Sequence, residues 1–200
     1  LVADADIRAA DISLGGRETS FTCLGPHGRF PVTVPAVGKH NVYNALAALA
    51  AGLELGLSPD EARAGLATFQ TGAMRLAIET RGPYTVVNDA YNASPLSTHA
   101  AIDTLGTVAK GRKVAVLGDM LELGDMAEAA HTRVGEALAD AGVRVVVTVG
   151  ETARNIAAAA LAGGVDVAVA CAGHAEAEEA LRKLLRPGDT VLVKGSRGMK

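Results

Sequence analysis

The sequence predicts an α/β protein: an open parallel sheet with helices on both faces, preceded by an antiparallel meander and two helices. Three observations predict it. Residues 84–200 alternate strand and helix patterns without interruption, and their strands read as near-continuous apolar runs such as Val145-Val-Val-Thr-Val149. Residues 1–80 carry a different rhythm, short alternating segments punctuated by glycine. Parallel strands covered on both faces need apolar side chains on both, whereas a half-solvated meander alternates.

The meander segments are residues 7–14, 18–24 and 29–34, separated by Gly15-Gly16 and by Gly25-Pro26-His27-Gly28. Glycine-rich breaks at that spacing suit antiparallel hairpins. A helical pattern follows over 41–55, and Ser58-Pro59-Asp60-Glu61 opens a second helix with Ser as N-cap and Pro at its first position. Arg81-Gly-Pro83 separates the two rhythms, which predicts a linker over 77–83 and domains of 1–80 and 81–200. Beyond it, strands are expected at 85–88, 113–117, 143–149, 165–170 and 190–193, with helices at 95–108, 126–141, 152–161 and 175–185. Each crossover is long enough for a right-handed βαβ unit, so the second part reads as a Rossmann-like domain. The first 80 residues make a poor domain alone, since a piece that small buries only about 60% of its unfolded surface.

Composition narrows the classes. The chain is 49% hydrophobic and 20% charged, which allows a buried core, but only 3% aromatic with no Trp, so that core rests on Ala, Val and Leu. A net charge of −3 gives no electrostatic case for a nucleic-acid or acidic-membrane partner. Cys23 and Cys171 lack the paired spacing of a zinc or redox site and fit a reducing cytoplasm as small buried groups. No apolar run approaches the ~18 residues of a membrane span. The start, Leu1-Val-Ala-Asp-Ala-Asp6, has no basic n-region and no initiator Met, and the end comes straight off a strand; both read as cuts through a longer chain.

Five clusters can carry chemistry. Gly38-Lys-His-Asn-Val-Tyr-Asn44 opens a helix, with His40, Asn41 and Asn44 at spacings that share a face. Unpaired N–H groups there suit a nucleotide, although Asn41 and His40 also suit plain helix caps. Arg75 is either a phosphate contact or a solvated charge. Val87-Asn-Asp-Ala-Tyr-Asn-Ala-Ser-Pro95 leaves the first parallel strand where open α/β sheets bind ligands. Asp89 there can accept hydrogen bonds from ribose hydroxyls; the plainer reading is an Asx turn made by Asp89 or Asn92. Leu117-Gly-Asp-Met-Leu-Glu-Leu-Gly124 is a binding or interface loop, followed by His131, a residue type that on an Ala-rich helix is more often packing than catalysis. Lys194-Gly-Ser-Arg197 is either a carboxylate grip or a basic turn. No G-x-x-x-x-G-K-[ST] loop, no G-x-G-x-x-G after a strand and no nucleophile elbow occur.

In order and spacing these clusters resemble the Mur ligase family, within it the ligases that add D-alanyl-D-alanine. The residues that carry the likeness are His40-Asn-Val-Tyr-Asn44, Arg75, Asp89-Ala-Tyr-Asn-Ala-Ser-Pro95, Gly118-Asp-Met-Leu-Glu-Leu-Gly124 with His131, and Lys194-Gly-Ser-Arg197. Ser94 stands where Asn is commoner in the family, a change that keeps the helix cap. The resemblance implies that 1–80 is the end of a central ATPase domain without its phosphate loop, and 81–200 a C-terminal ligase domain truncated at its end. It implies ATP-dependent amide formation between D-alanyl-D-alanine and a UDP-N-acetylmuramoyl-tripeptide in peptidoglycan synthesis, in the cytoplasm, through an acyl phosphate. By the same likeness Asn44 lies near the nucleotide base with His40 and Asn41 in support, Arg75 meets phosphate or ribose, and Asp89 meets ribose. Asn92, Ser196 and Arg197 are expected in the region that receives the dipeptide. The family's phosphate loop, modified lysine and magnesium ligands match nothing here, so no catalytic or metal-binding residue is expected in this chain, the Mg2+ ligands belong elsewhere, and the chain alone should be inactive. Two alternatives stay open: another Mur ligase or folylpolyglutamate synthase-like enzyme, and a non-enzymatic nucleotide- or partner-binding module.

Overall fold

The computed structural model describes residues 5–199. The first four residues, part of the start expected to be a cut, and Lys200 lie outside them. The chain divides into two compact units at Thr71/Gly72. No helix among the described residues is long and apolar enough to cross a membrane.

In the first unit, β1 (Arg8–Leu14), β2 (Thr19–Gly25) and β3 (Gly28–Val34) form an antiparallel sheet in that order. Alternation works as expected on β2 and β3: Phe21, Cys23, Phe30, Val32 and Val34 face inward and pack on α1 (Lys39–Glu54) through Val42, Ala45, Leu46, Leu49 and Leu53. The next helix, α2 (Pro59–Ala67), carries the expected N-terminal signature: the Ser58 side chain accepts from Glu61 N–H while Glu61 reaches back to Ser58 N–H.

The second unit opens with a hairpin rather than a linker. Residues 77–83, expected as a linker, form a hairpin: β4 (Ala77–Arg81) pairs antiparallel with β5 (Tyr84–Asp89), joined by Gly82-Pro83. Gly82 takes φ 58°, which a tight connection needs and which a side chain resists. The unit boundary therefore falls before the hairpin rather than at 80/81. There follow α3 (Pro95–Val108), β6 (Lys113–Gly118), a 3-10 turn (Gly124–Met126), α4 (Ala127–Asp140), β7 (Val145–Val149), α5 (Arg154–Ala162), β8 (Val167–Cys171), α6 (His174–Leu184) and β9 (Thr190–Lys194). The sheet order is β4-β5-β9-β6-β7-β8, parallel throughout except for β4.

Val145, Val147 and Val149 point to the face covered by Ala177, Ala180, Leu181 and Leu184 of α6. Val146 and Thr148, also buried, point the other way, toward the side on which α5 packs against β7 and β8. The small residues have a use here. A Cβ on Gly135 of α4 would run into the Ile156 carbonyl and Ala159 of α5, so the two helices approach as closely as backbone allows. Cys23 and Cys171 are buried and unpaired, and burial pushes both thiols up in pKa, so they stay protonated at neutral pH.

Candidate functional site

At the start of α1 the N-cap is Gly38, with no side-chain cap. Buried Asn41 donates to the Val37 carbonyl (2.9 Å), tying the helix to the segment that enters it. Its amide also meets His40 Nε2 (3.1 Å), and Asn44 donates to Asn41 Oδ1 (3.3 Å). The three residues form a hydrogen-bonded row. Asn41 is the buried anchor, and Asn44 stands at the exposed end of the row.

The second cluster grows from register. The parallel pairing of β5 with β9 sets Asp89 opposite Lys194, the last residue of each strand. Lys194 Nζ donates to Asp89 Oδ2 (2.5 Å) and to the Asn92 carbonyl (2.8 Å), and Asp89 Oδ1 accepts from Leu76 N–H (3.0 Å). The two side chains are only 2% and 12% exposed. Charges this far from water persist only when paired and further hydrogen-bonded. Asp89 thus clasps three segments: its own strand end, the end of β9 and the backbone after Arg75. A ribose donating to it would have to share oxygens already engaged.

Arg75 is held from both sides. Tyr91 N–H donates to the Met74 carbonyl (3.1 Å), and Leu76 N–H goes to Asp89. Met74 and Leu76 both take positive φ, 57° and 52°, rare for residues with side chains. The Arg75 guanidinium lies 3.9 Å from the centre of the Tyr91 ring, and that of Arg197 5.6 Å from the same centre. Neither arginine has an acidic partner among the described residues.

Asn92 and Ser196 are internal ties. Asn92 Oδ1 accepts from Ala93 N–H (2.9 Å) and Arg197 N–H (3.4 Å); the first bond reaches the next residue rather than the second one on, so it is not an Asx turn. Ser196, buried, accepts from Leu121 N–H (2.9 Å) and donates to the Ala93 carbonyl (3.4 Å). The Gly118–Gly124 loop is fixed further by Asp119, whose Oδ1 accepts from Ala153 N–H (2.6 Å) beside Gly150. His131, fully buried, accepts from Met120 N–H at Nε2 (2.9 Å), so its proton sits on Nδ1, facing the Ala127 carbonyl (2.6 Å).

Arg75, Asp89, Asn92, Ser196 and Arg197 therefore gather at the carboxyl ends of β5 and β9, beside a cavity of about 430 Å³ lined in part by Tyr91, Gly118, Lys194 and Arg197. Sequence reasoning missed Lys194 and Tyr91 as the residues that organise it. Among the described residues no three His, Cys, Asp or Glu side chains come together to hold a metal. The acid-free guanidiniums do fit phosphate oxygens.

Comparison with known proteins bears on the family of the chain. The family described as Mur ligase, glutamate ligase domain matches residues 74–197, and that described as Mur ligase middle domain matches residues 2–52. The UDP-N-acetylmuramoyl-tripeptide–D-alanyl-D-alanine ligase of Bacillus subtilis (strain 168) is 39% identical over 198 residues, covering 98% of this chain and 43% of the relative. The Escherichia coli (strain K12) protein of the same name is 38% identical over 162 residues, 80% of this chain and 36% of its own length. Among solved structures, MurF from Acinetobacter baumannii superposes with a TM-score of 0.87 at 33% identity, over 99% of this chain and 43% of that one. MurF ligase from Thermotoga maritima in complex with ADP, at 24% identity, shares the fold with a TM-score of 0.81, covering 99% and 44% of the two chains. The chain thus spans less than half the length of these relatives.

Proposed function

The chain belongs to the Mur ligase family, and we propose that it supplies the C-terminal portion of an ATP-dependent ligase joining D-alanyl-D-alanine to a UDP-N-acetylmuramoyl-tripeptide. The observation that carries the reading is the meeting over Tyr91 of two arginines that have no acidic partner among the described residues, at the strand ends where an open α/β sheet takes its ligand. The names of the relatives supply the substrates. Residues 1–80 would then end the central ATPase domain, and the remainder form most of the ligase domain.

The implied reaction has two displacements. The tripeptide carboxylate takes the terminal phosphoryl group of ATP, becoming an acyl phosphate and leaving ADP. The dipeptide amine then attacks that carbonyl, loses its proton, and expels phosphate as the amide forms. No residue of this chain is asked to be a nucleophile. Arg75 and Arg197 would neutralise charge on phosphate oxygens, and the Asp89–Lys194 clasp would hold the Arg75 backbone where it can do so; positioning and fixed charge carry most of such catalysis. Asn44 is proposed to read the base. Mg2+ would be held by residues outside this chain, and the enzyme would work in the cytoplasm.

The test is to assay the whole enzyme containing this chain for ADP release and product, offering D-alanyl-D-alanine or single amino acids as acceptor. Turnover with the dipeptide alone is expected. Preference for a single amino acid would move the chain to another Mur ligase. The 200 residues by themselves should neither hydrolyse ATP nor ligate, and robust ATPase activity from them would contradict the division of labour proposed.

A further inference from the structure

We propose that Tyr91 is a positioning residue whose ring joins Arg75 and Arg197 into one clamp for a single phosphate group, rather than leaving them as separate contacts to two ligands. The proposal deepens the ligase reading, on which it rests only for what carries the phosphate.

An exposed arginine samples many rotamers and loses that freedom when it binds. Here the freedom is already restricted. The Arg75 guanidinium lies 3.9 Å from the ring centre, and a guanidinium stacked on a ring keeps its edge, where the N–H donors lie, for oxygens. Arg197 reaches the same ring at 5.6 Å. Both arms issue from backbone anchored to the loop that carries Tyr91: Tyr91 N–H holds the Met74 carbonyl, and Asn92 Oδ1 holds Arg197 N–H. The positive φ at Met74 and Leu76 bends the chain so that Arg75 projects there.

Charge points to the ligand class. The acid within the cluster, Asp89, is committed to Lys194 and to Leu76 N–H, so neither guanidinium is neutralised by an acid among the described residues. One guanidinium fork satisfies a carboxylate's two oxygens, whereas two converging forks match a phosphate with three terminal oxygens and greater charge. The Tyr91 hydroxyl makes no hydrogen bond among the described residues, so the ring alone should suffice.

The experiment follows the arginine side-chain N–H signals of the 200-residue chain by NMR while inorganic pyrophosphate is added. In the wild-type protein and in Tyr91→Phe, Arg75 should show a ring-current shift, and Arg75 and Arg197 should titrate together with one Kd. In Tyr91→Leu the ring-current shift should vanish and the Kd weaken by about 3- to 10-fold, the exposed-to-intermediate range for such stacking. Arg197→Gln, a change at an exposed side chain that leaves the ring in place, should weaken the response seen at Arg75. Different Kd values at the two arginines, unchanged binding in Tyr91→Leu or in Arg197→Gln, or no pyrophosphate response would each overturn the proposal. Kinetics separate it from the ligase reading. In the whole enzyme Tyr91→Leu should raise the KM for ATP while leaving that for the dipeptide unchanged, and Tyr91→Phe should restore it. A working clamp in a protein without ligase activity would sink the ligase reading alone, and full ligase activity with independent arginines would sink the clamp alone.

Discussion

Replacing Lys194 by Met removes a buried cation while keeping nearly the same volume, so the loss is electrostatic rather than a cavity. What remains is the Asp89 carboxylate, 12% exposed, with Leu76 N–H as its hydrogen-bond donor. The Asn92 carbonyl loses its donor as well. Breaking a buried pair from one side costs about 3–5 kcal/mol, because a charge is left in poor solvent. With an unfolding entropy of about 2.1 cal/mol/K per residue, a unit of roughly 130 residues should lose about 11–18 °C of Tm. Thermal unfolding followed by circular dichroism at pH 7 reads this directly. Adding Asp89→Asn to the same protein should recover part of the loss, since no charge is then stranded. Arg182→Met, which removes an exposed pair on α6, serves as the control and should leave Tm nearly unchanged. A Lys194→Met protein melting within about 2 °C of wild type would refute the burial argument, since that shift corresponds to well under 1 kcal/mol.

Three further outcomes follow from the same geometry. His131→Leu strands Met120 N–H and frees the Ala127 carbonyl, so urea unfolding should show a loss of about 1–3 kcal/mol; an unchanged midpoint would mean that the loop does not lean on this ring. Gly150→Ala places a side chain at φ 118° and against the Asp119 carboxylate, and should cost about 1–3 kcal/mol in the same assay; a fully stable variant would mean that Asp119 does not sit on Gly150. Burial alone would raise the pKa of Asp189, but the two-pronged Arg112 contact (2.9 and 2.7 Å), the Arg186 N–H and the neighbouring positive charges outweigh it and hold the carboxyl below its usual range. Its stabilisation is therefore complete above the unfolded value near pH 4 and fades as pH falls through the lower folded value. Urea midpoints should fall more steeply in wild type than in Asp189→Asn across that acid window, and parallel curves would contradict the assignment.

Much of the fold was legible because local signals agreed with the global pattern. Ser58-Pro59 and Ser94-Pro95 announce helix starts, and both close as capping boxes, the second with Ser97 in place of the usual acid. The valine run at 145–149 can serve only a sheet covered on both sides. The hairpin at Gly82-Pro83 is hard to see locally because Gly-Pro marks a break between domains as well as it marks a two-residue turn. In the site, strand-end logic brought Asp89, Asn92 and Arg197 to one edge. It could not reveal that Lys194 faces Asp89, which depends on β9 inserting between β5 and β6, a fact of strand order that no local pattern encodes. For the same reason the burial of the Ser196 hydroxyl against Leu121 and Ala93 was invisible, since its partners lie 75 and 103 residues away.

The most direct test is hydrogen–deuterium exchange on the whole enzyme, with and without an ATP analogue and dipeptide. The account predicts new protection concentrated at residues 74–76, 89–92 and 194–197. Protection that leaves those three segments unchanged while appearing elsewhere in residues 72–199 would contradict it.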